Sequence, residues 1–551
     1  MITPSYGQED GTIFKFGGYG YGNGKFNQPS GIAVTPSGNI LVADTGNNRI
    51  QVLTYNGSFV SKWGAYGRDK DQLRLPNDIA VTPTGNILVA DTGNNRIQVL
   101  SQNGTFVSKW GGYGRGDAQF RSPTDIAITD LAQIVITDKT NNRILRYSPN
   151  YTTGTQHNLT VTENANVNNT NLHVREIASD LEFPVALGFL GPKDVIVLER
   201  MSGLVKRVVD GKILEEPLLN ISDYKFGSCM CGVDVVRNGD KTYVFIYMAE
   251  LQAQNGKISE RLYRYEFDNS TNSLVNSKVL LEIPVSSLSG MHHGGKVLLG
   301  PDGNIYAIIG DIDGRDTKAQ NVVAGPEPDG SSSILRMTID GKALNDNYSL
   351  GVTEPLNLYY GYGIRNSFGF DFDPITNGLW FTDNGASSHD EINFAEPGFN
   401  GGWNKAMGIS SLSRTFDEGD LVTFEGKGKY TDPQFEWFET IGPTALVFLN
   451  SDKLGKEFEN DLFVGDFELG NIYHFDLNRT RTGLSLNGTL ADKIANNSQE
   501  ASPLIFVRGL GGITDMKISP DGMIYVTSAL GKIYAIMPNS QSDKASPLTT
   551  N

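Results

Sequence analysis

The stretch Pro29–Leu53, PSGIAVTPSGNILVADTGNNRIQVL, returns almost unchanged at Pro76–Leu100 as PNDIAVTPTGNILVADTGNNRIQVL. It returns once more, loosely, at Pro123–Tyr147 as PTDIAITDLAQIVITDKTNNRILRY, so the period is 47 residues both times. NGSFVSKWGAYGR and NGTFVSKWGGYGR lie between the copies, and a worn version, GTIFKFGGYGYG, precedes the first. Each unit reads as four short strands, IAV, NILVAD, RIQVL and FVSKW, set apart by glycine- and asparagine-rich turns. A unit of this size cannot bury both faces of its own sheet. Neighbours must stack, as propeller blades do.

Outward from the repeats the pattern changes. Residues 148–172, SPNYTTGTQHNLTVTENANVNNTNL, are rich in Asn and Thr and poor in apolar side chains, which marks a linker or an exposed strand pair. From 173 to 538 there is no strict repeat, but a rhythm persists. GGKVLLGPDGNIYAIIGD, FGFDFDPITNGLWFTDNG, NDLFVGDFELGNIYHFDL and DMKISPDGMIYVTSALGKIYAI each join two apolar strands through a Pro, Asp or Gly turn. The expected fold is therefore all-β. It has N-terminal propeller blades at 1–147 forming a partial ring, then a six-bladed β-propeller at 173–538, and a flexible tail at 539–551.

Composition excludes several classes. A net charge of −16 with no Lys/Arg-dense run excludes a nucleic-acid partner. No run of about 18 apolar residues exists to span a membrane. Cys229 and Cys231, one residue apart, are too close for an unstrained disulfide and too few for a thiolate metal site. No basic and apolar leader is visible at the start. Sequons are frequent, among them Asn56, Asn168, Asn220, Asn269 and Asn478, and point to an extracellular or periplasm-like, glycosylated protein.

The DTGNNRIQV core closely resembles the NHL repeat over about residues 12–147. Asp44, Asp91 and Asp138 recur with Asn48, Asn95 and Asn142 and with Arg49, Arg96 and Arg143. Their expected work is structural: Asp and Asn close the turn, and the arginine braces neighbouring blades. By resemblance the blades offer a surface for a protein partner. Three blades and a fragment do not close a ring. Further blades upstream, the second body or another subunit are the open alternatives.

The second body resembles the glucose/sorbosone dehydrogenase family, the soluble quinoprotein sugar dehydrogenases. His292, Gly294, Gly295, Gly300, Pro301, Asp302, Gly303, Gly310 and Asp311 reproduce its pattern without a gap. The resemblance implies that His292 is the base for a sugar's anomeric hydroxyl and Asp311 the carboxylate that supports it. Such a base needs a working pKa near neutrality and direct reach to the hydroxyl. A hydride needs an acceptor that no side chain supplies; in the family this is pyrroloquinoline quinone held with Ca2+. GYGIRNSFGFDFDP places Arg365 and Asn366 where relatives touch the quinone. TDNGASSHDEINFAEPGFNGGWN places Gly385 and Ala386 as carbonyl ligands of the cofactor's calcium and Glu391 as a ligand of a second calcium, oxygen donors suited to a hard cation. His293, one residue on from His292, is expected to face the other side in a structural role.

Other positions depart from the family. Glu468 stands where relatives carry a lysine, and Gly512 and Thr514 stand where they carry arginines, with Lys517 and Arg508 near enough to substitute. A quinone with three carboxylates needs several such cations. Three readings follow. The first is an oxidoreductase converting a sugar C1 hydroxyl to the lactone. The second is a non-catalytic carbohydrate- or protein-binding double propeller with a degenerate cofactor site. The third is calcium-centred hydrolysis of a lactone or ester by metal-activated water.

Overall fold

The computed structural model describes residues from Lys15 to Asn539 apart from short internal stretches, the longest being 148–164, 222–228, 252–257, 286–291 and 410–417. Most of the expected linker and nearly all of the expected tail fall outside the described residues. The chain divides into two compact units, Met1–Asn158 and Leu159–Asn551.

The first unit contains three antiparallel sheets among the described residues. The first joins Pro29–Val34, Ile40–Asp44, Arg49–Leu53 and Phe59–Trp63. The second joins Pro76–Val81, Ile87–Asp91, Arg96–Leu100 and Phe106–Gly111; the third has three strands, Pro123–Ile128, Ile134–Asp138 and Arg143–Tyr147. Alternation along each strand sends one set of apolar side chains to each face. Leu41, Ile50, Ile79 and Val89 pack between the first two sheets, and Leu88, Ile97, Ile126 and Ile136 between the second and third.

The repeated polar residues divide their work differently from the sequence expectation. Asp44, fully buried, takes the backbone N–H of Asn27 at 2.7 Å, Arg49 Nε at 2.7 Å and Gln51 Nε2 at 2.9 Å. Arg96 repeats the pairing with Asp91 and donates its remaining N–H groups to the carbonyls of Arg68, Asp69 and Gln72. Each arginine thus clamps the connector leading into its own sheet. It is the asparagine that joins neighbouring sheets: Asn48 Oδ1 accepts from Leu75 N at 2.9 Å and Asn95 Oδ1 from Ser122 N at 3.0 Å.

The second unit holds six sheets among the described residues, of four to six strands each. Leu172–Ala178 pairs with Lys532–Pro538, so strands from opposite ends of this unit share one sheet. Asn166–Val167, within the stretch 148–172, pairs with Ile505–Arg508. The strand Pro184–Gly191 lies against both Cys229–Asn238 and Ile513–Ile518. Helix is confined, among the described residues, to one α-turn at Ser498–Ala501 and short 3-10 turns, and no helix is long and apolar enough to cross a membrane. The all-β expectation holds in both units.

Candidate functional site

The site is assembled by one hairpin. Gly300 N donates to Asn304 O at 2.7 Å, and Gly303 supplies the φ of +76° that the turn requires. This turn links Gly294–Leu299 to Ile305–Ile309 in a register that pairs Gly294 with Ile309. The residues two beyond each end, His292 and Asp311, therefore fall side by side. A Cβ on Gly310 would lie 2.0 Å from the carbonyl oxygen of His292, so only glycine allows this approach. His292 itself has φ +86°, a conformation that costs a non-glycine residue about 1–3 kcal/mol and persists where the surroundings impose it.

His292 Nδ1 stands 2.8 Å from Asp311 Oδ1, and its Nε2 stands 2.8 Å from Arg365 Nη2. A guanidinium only donates, so Nε2 accepts and the ring proton sits on Nδ1, facing the carboxylate. Asp311 is buried, and its second oxygen accepts from Trp403 Nε1 at 2.7 Å. Arg365 lies over the Trp403 ring at 5.5 Å and donates to the carbonyls of Asn384 at 2.8 Å and Gly385 at 3.0 Å. His292, Asp311, Arg365 and Gly385 are thus brought together, with Trp403 as a member to which sequence reasoning gave no role.

Asp383 was also missed, although a signal existed. In both units a carboxylate at the end of a sheet's second strand binds the backbone N–H found 17 residues earlier: Asn27 to Asp44, Arg74 to Asp91, Arg121 to Asp138, Glu182 to Glu199 and Asn366 to Asp383. Asp383 also receives Arg365 N at 2.8 Å, and burial pushes its carboxyl up to about 7. Asp311 lies two residues beyond the end of its sheet's second strand, Ile305–Ile309, and turns to an imidazole instead. A structural device of the fold has been diverted to the site.

Asn366 is tied through its backbone to Asp383, and its side-chain oxygen is buried without a partner. So are Arg365 Nε, Ser367 Oγ and Asn384 Oδ1. Four unsatisfied polar atoms on consecutive or adjacent segments mark a place that a polar ligand or solvent must complete. Ala386 is exposed beside Gly385. Glu391 is not joined to these groups. Alternation on Asp390–Ala395 turns Asp390 toward Gly385 N at 2.8 Å and Glu391 the other way, to Gly408 N at 2.5 Å and Asn393 Nδ2 at 3.0 Å. Burial, then the nearby Asp383 charge, pushes Glu391 up to about 8. Glu436, also buried, accepts from Ile409 N at 2.8 Å and lies 2.5 Å from His389 Nδ1. Among the described residues, the one group of three imidazole or carboxylate side chains able to converge on a metal lies elsewhere, at Asp461, His474 and Asp476. His293 points away from the site, with Nδ1 2.5 Å from buried Glu260.

Of the two expected substitute cations, Lys517 pairs with Asp234 at 2.5 Å and Arg508 is exposed against Ser502; Lys296, which was not among them, pairs with Asp515. Among the described residues Glu468 has no cationic partner, and burial, reinforced by Asp390 and Asp466, pushes its carboxyl up to about 8. The residues present fit a cation and a neutral hydroxyl substrate. With Glu468 in place of a cation, they do not fit the three carboxylates of a quinone.

Residues 181–535 match the glucose/sorbosone dehydrogenase family, and 26–53 and 73–100 match the NHL repeat. The aldose sugar dehydrogenase YliI of Escherichia coli is 23% identical over 377 residues, covering 67% of this chain and 94% of that protein. Quinoprotein glucose dehydrogenase B of Acinetobacter calcoaceticus is 33% identical over a shorter 171 residues, 27% of this chain and 33% of that one. The solved apo-form of the soluble E. coli aldose sugar dehydrogenase superposes with a TM-score of 0.51 at 21% identity, over 67% of this chain and all of that one.

Proposed function

The chain belongs to the glucose/sorbosone dehydrogenase family, and we propose that it is an oxidoreductase acting on the C1 hydroxyl of an aldose, with His292 as the proton acceptor. The observation that carries this reading is the imidazole held between Asp311 and Arg365 at 2.8 Å on each side. The hydroxyl proton passes to Nε2, which requires Arg365 to give up that lone pair and turn to the substrate oxygen. Asp311 then holds the imidazolium in place through Nδ1. C1 loses a hydride to a two-electron acceptor, and the product is the lactone.

The six sheets of the second unit are read as blades of a six-bladed propeller. Supporting this are the sheet shared by Leu172–Ala178 and Lys532–Pro538, and the strand Pro184–Gly191 lying against two neighbours. Calcium is proposed at the Asn384 and Gly385 carbonyls, in place of the Arg365 guanidinium that binds them, and, separately, at the Glu391 and Glu436 carboxylates, all of them oxygen donors suited to a hard cation. Pyrroloquinoline quinone is the family's acceptor, and with Glu468 in place of a cation it is expected to bind weakly. The sequons support export.

The test is turnover of a panel of aldoses by purified protein with calcium, the quinone and an artificial electron acceptor, with His292→Ala as control. Lactone formation lost in the control supports the reading; no turnover of any aldose overturns it. Glu468 specifically favours a second reading, a sugar-binding protein without catalysis, which predicts aldose binding by calorimetry with no turnover.

A further inference from the structure

The three sheets of the N-terminal unit stack through two faces that recur every 47 residues. Ile79 and Ile126, on the first strands of the second and third sheets, are sealed against the sheet before, at 3% and 6% exposure. Ile32 and Val34, the same face of the first sheet, are 65% and 62% exposed. At the other end Ile50 and Ile97, on third strands, are fully covered by the sheet that follows, while their counterpart Ile144 is 70% exposed.

The polar contacts lapse in step. Asn142 shares the left-handed conformation of Asn48 and Asn95, with φ of +51°, +55° and +56°. Gln28 shares that of Leu75 and Ser122, with φ of +49°, +47° and +60°. Asn48 binds Leu75 and Asn95 binds Ser122. Among the described residues Asn142 Oδ1 and Gln28 N–H have no such partner. Phe16 lies over Gly57 as Trp63 lies over Gly104. Since Trp63 ends the fourth strand of the sheet before, Phe16 holds the fourth-strand place of a sheet standing in front of the first.

We propose that these two ends are the two halves of one interface, and that the N-terminal unit pairs head to tail with a second copy of this chain to close a ring of six sheets. The front of the first sheet repeats the front of the second, which already receives a sheet of this sequence. The rear of the third likewise repeats that of the second at Ile144. Closed rings of such sheets hold about four to eight, so the three sheets among the described residues are too few to close alone, and two copies give six. Two identical interfaces then form about a two-fold axis, and no end stays open to further growth. In the ring Ile144 covers Ile32 and Val34 of the second copy. Asn142 Oδ1 accepts from Gln28 N of the second copy.

Sedimentation of the full chain tests this, with an expected species of twice the 60.1 kDa chain mass. Ile32→Asp with Val34→Asp, or Ile144→Asp alone, should each return it to the single-chain mass with an unchanged β-sheet circular dichroism spectrum, because these side chains are exposed within one chain. A Gln28→Cys, Asn142→Cys protein should form a two-chain band without reductant. An Asn48→Cys, Leu75→Cys protein, cross-linking within one chain, controls for the geometry. A single-chain mass for the unsubstituted protein overturns the proposal. So does a dimer that survives both sets of aspartates, and so does a control pair that cross-links while 28 and 142 stay apart or close within one chain.

Discussion

Arg365 Nη2 stands 2.8 Å from Nε2 of His292, on the lone pair that a substrate hydroxyl needs. The arginine therefore sets the tautomer of the base and occupies its working atom until substrate arrives. On the proposed reaction, His292→Ala should cut turnover about 10²- to 10⁴-fold. Asp311→Asn should cost less, leaving a base that is present but poorly held. His293→Ala should leave turnover nearly intact and lower the melting temperature instead, because it strips a partner from buried Glu260. Steady-state rates and melts on the same three proteins check the order; equal rate losses at both histidines would put the wrong imidazole in the site.

Trp403 acts on the site through Asp311. Trp403→Phe keeps the ring over Arg365 and removes the 2.7 Å bond from Nε1. A lost hydrogen bond to a charged group is worth about 1.5–3 kcal/mol, so kcat should fall about 10- to 100-fold while KM moves little. A change confined to KM would remove Trp403 from the positioning of Asp311.

Glu468→Lys should restore a cation to the anionic side of the site. Binding of pyrroloquinoline quinone, followed by calorimetry, should tighten about 10- to 100-fold, the range of a charge-assisted contact. No tightening in a folded variant would place Glu468 outside the cofactor's reach.

Glu391 and Glu468 are pushed up to about 8 by burial, against about 4.5 in an unfolded chain. Between those values the folded state holds more protons than the unfolded state, so stability is greatest near pH 4.5 and falls as pH rises toward about 8. In chelator the melting temperature should fall across that window. Calcium binds the ionised carboxylates, so millimolar calcium should raise the melting temperature more at pH 8 than at pH 5. Identical melts with and without calcium at pH 8 would remove the metal roles of Glu391 and Gly385.

In the N-terminal unit Asp91 is, among the described residues, the sole charge partner of Arg96, and both are buried. Asp91→Ala should cost about 3–5 kcal/mol by leaving that guanidinium uncompensated. Asp138→Ala should cost less, because Arg143 is a quarter exposed and water can take over. Calorimetry of the two variants checks the inequality.

Much of the fold was legible because its signals are local. A 47-residue period, apolar alternation and left-handed turn positions at Asn48, Asn95 and Asn142 all act within one sheet. The pairing of His292 with Asp311 was legible for the same reason: one hairpin joins them, and its register follows from the turn at Gly300–Gly303. The roles of Asn48 and Arg49 were exchanged in the sequence reading because neighbouring residues of one turn give no sign of which reaches the next sheet.

The sequence by itself determined which segments are strands, where they turn and which carboxylates end them, since those depend on backbone sterics and side-chain alternation. Only the tertiary structure decided what those groups meet. Arg365 reaches His292 across 73 residues, Trp403 reaches Asp311 across 92, and Lys517 is drawn to Asp234 rather than to the site. Asp390 instead of Glu391 faces Gly385, a choice made by one residue of strand register. Contacts of this kind are set by how separate sheets pack. Packing answers to the burial and charge of the whole unit, which no local stretch of sequence carries.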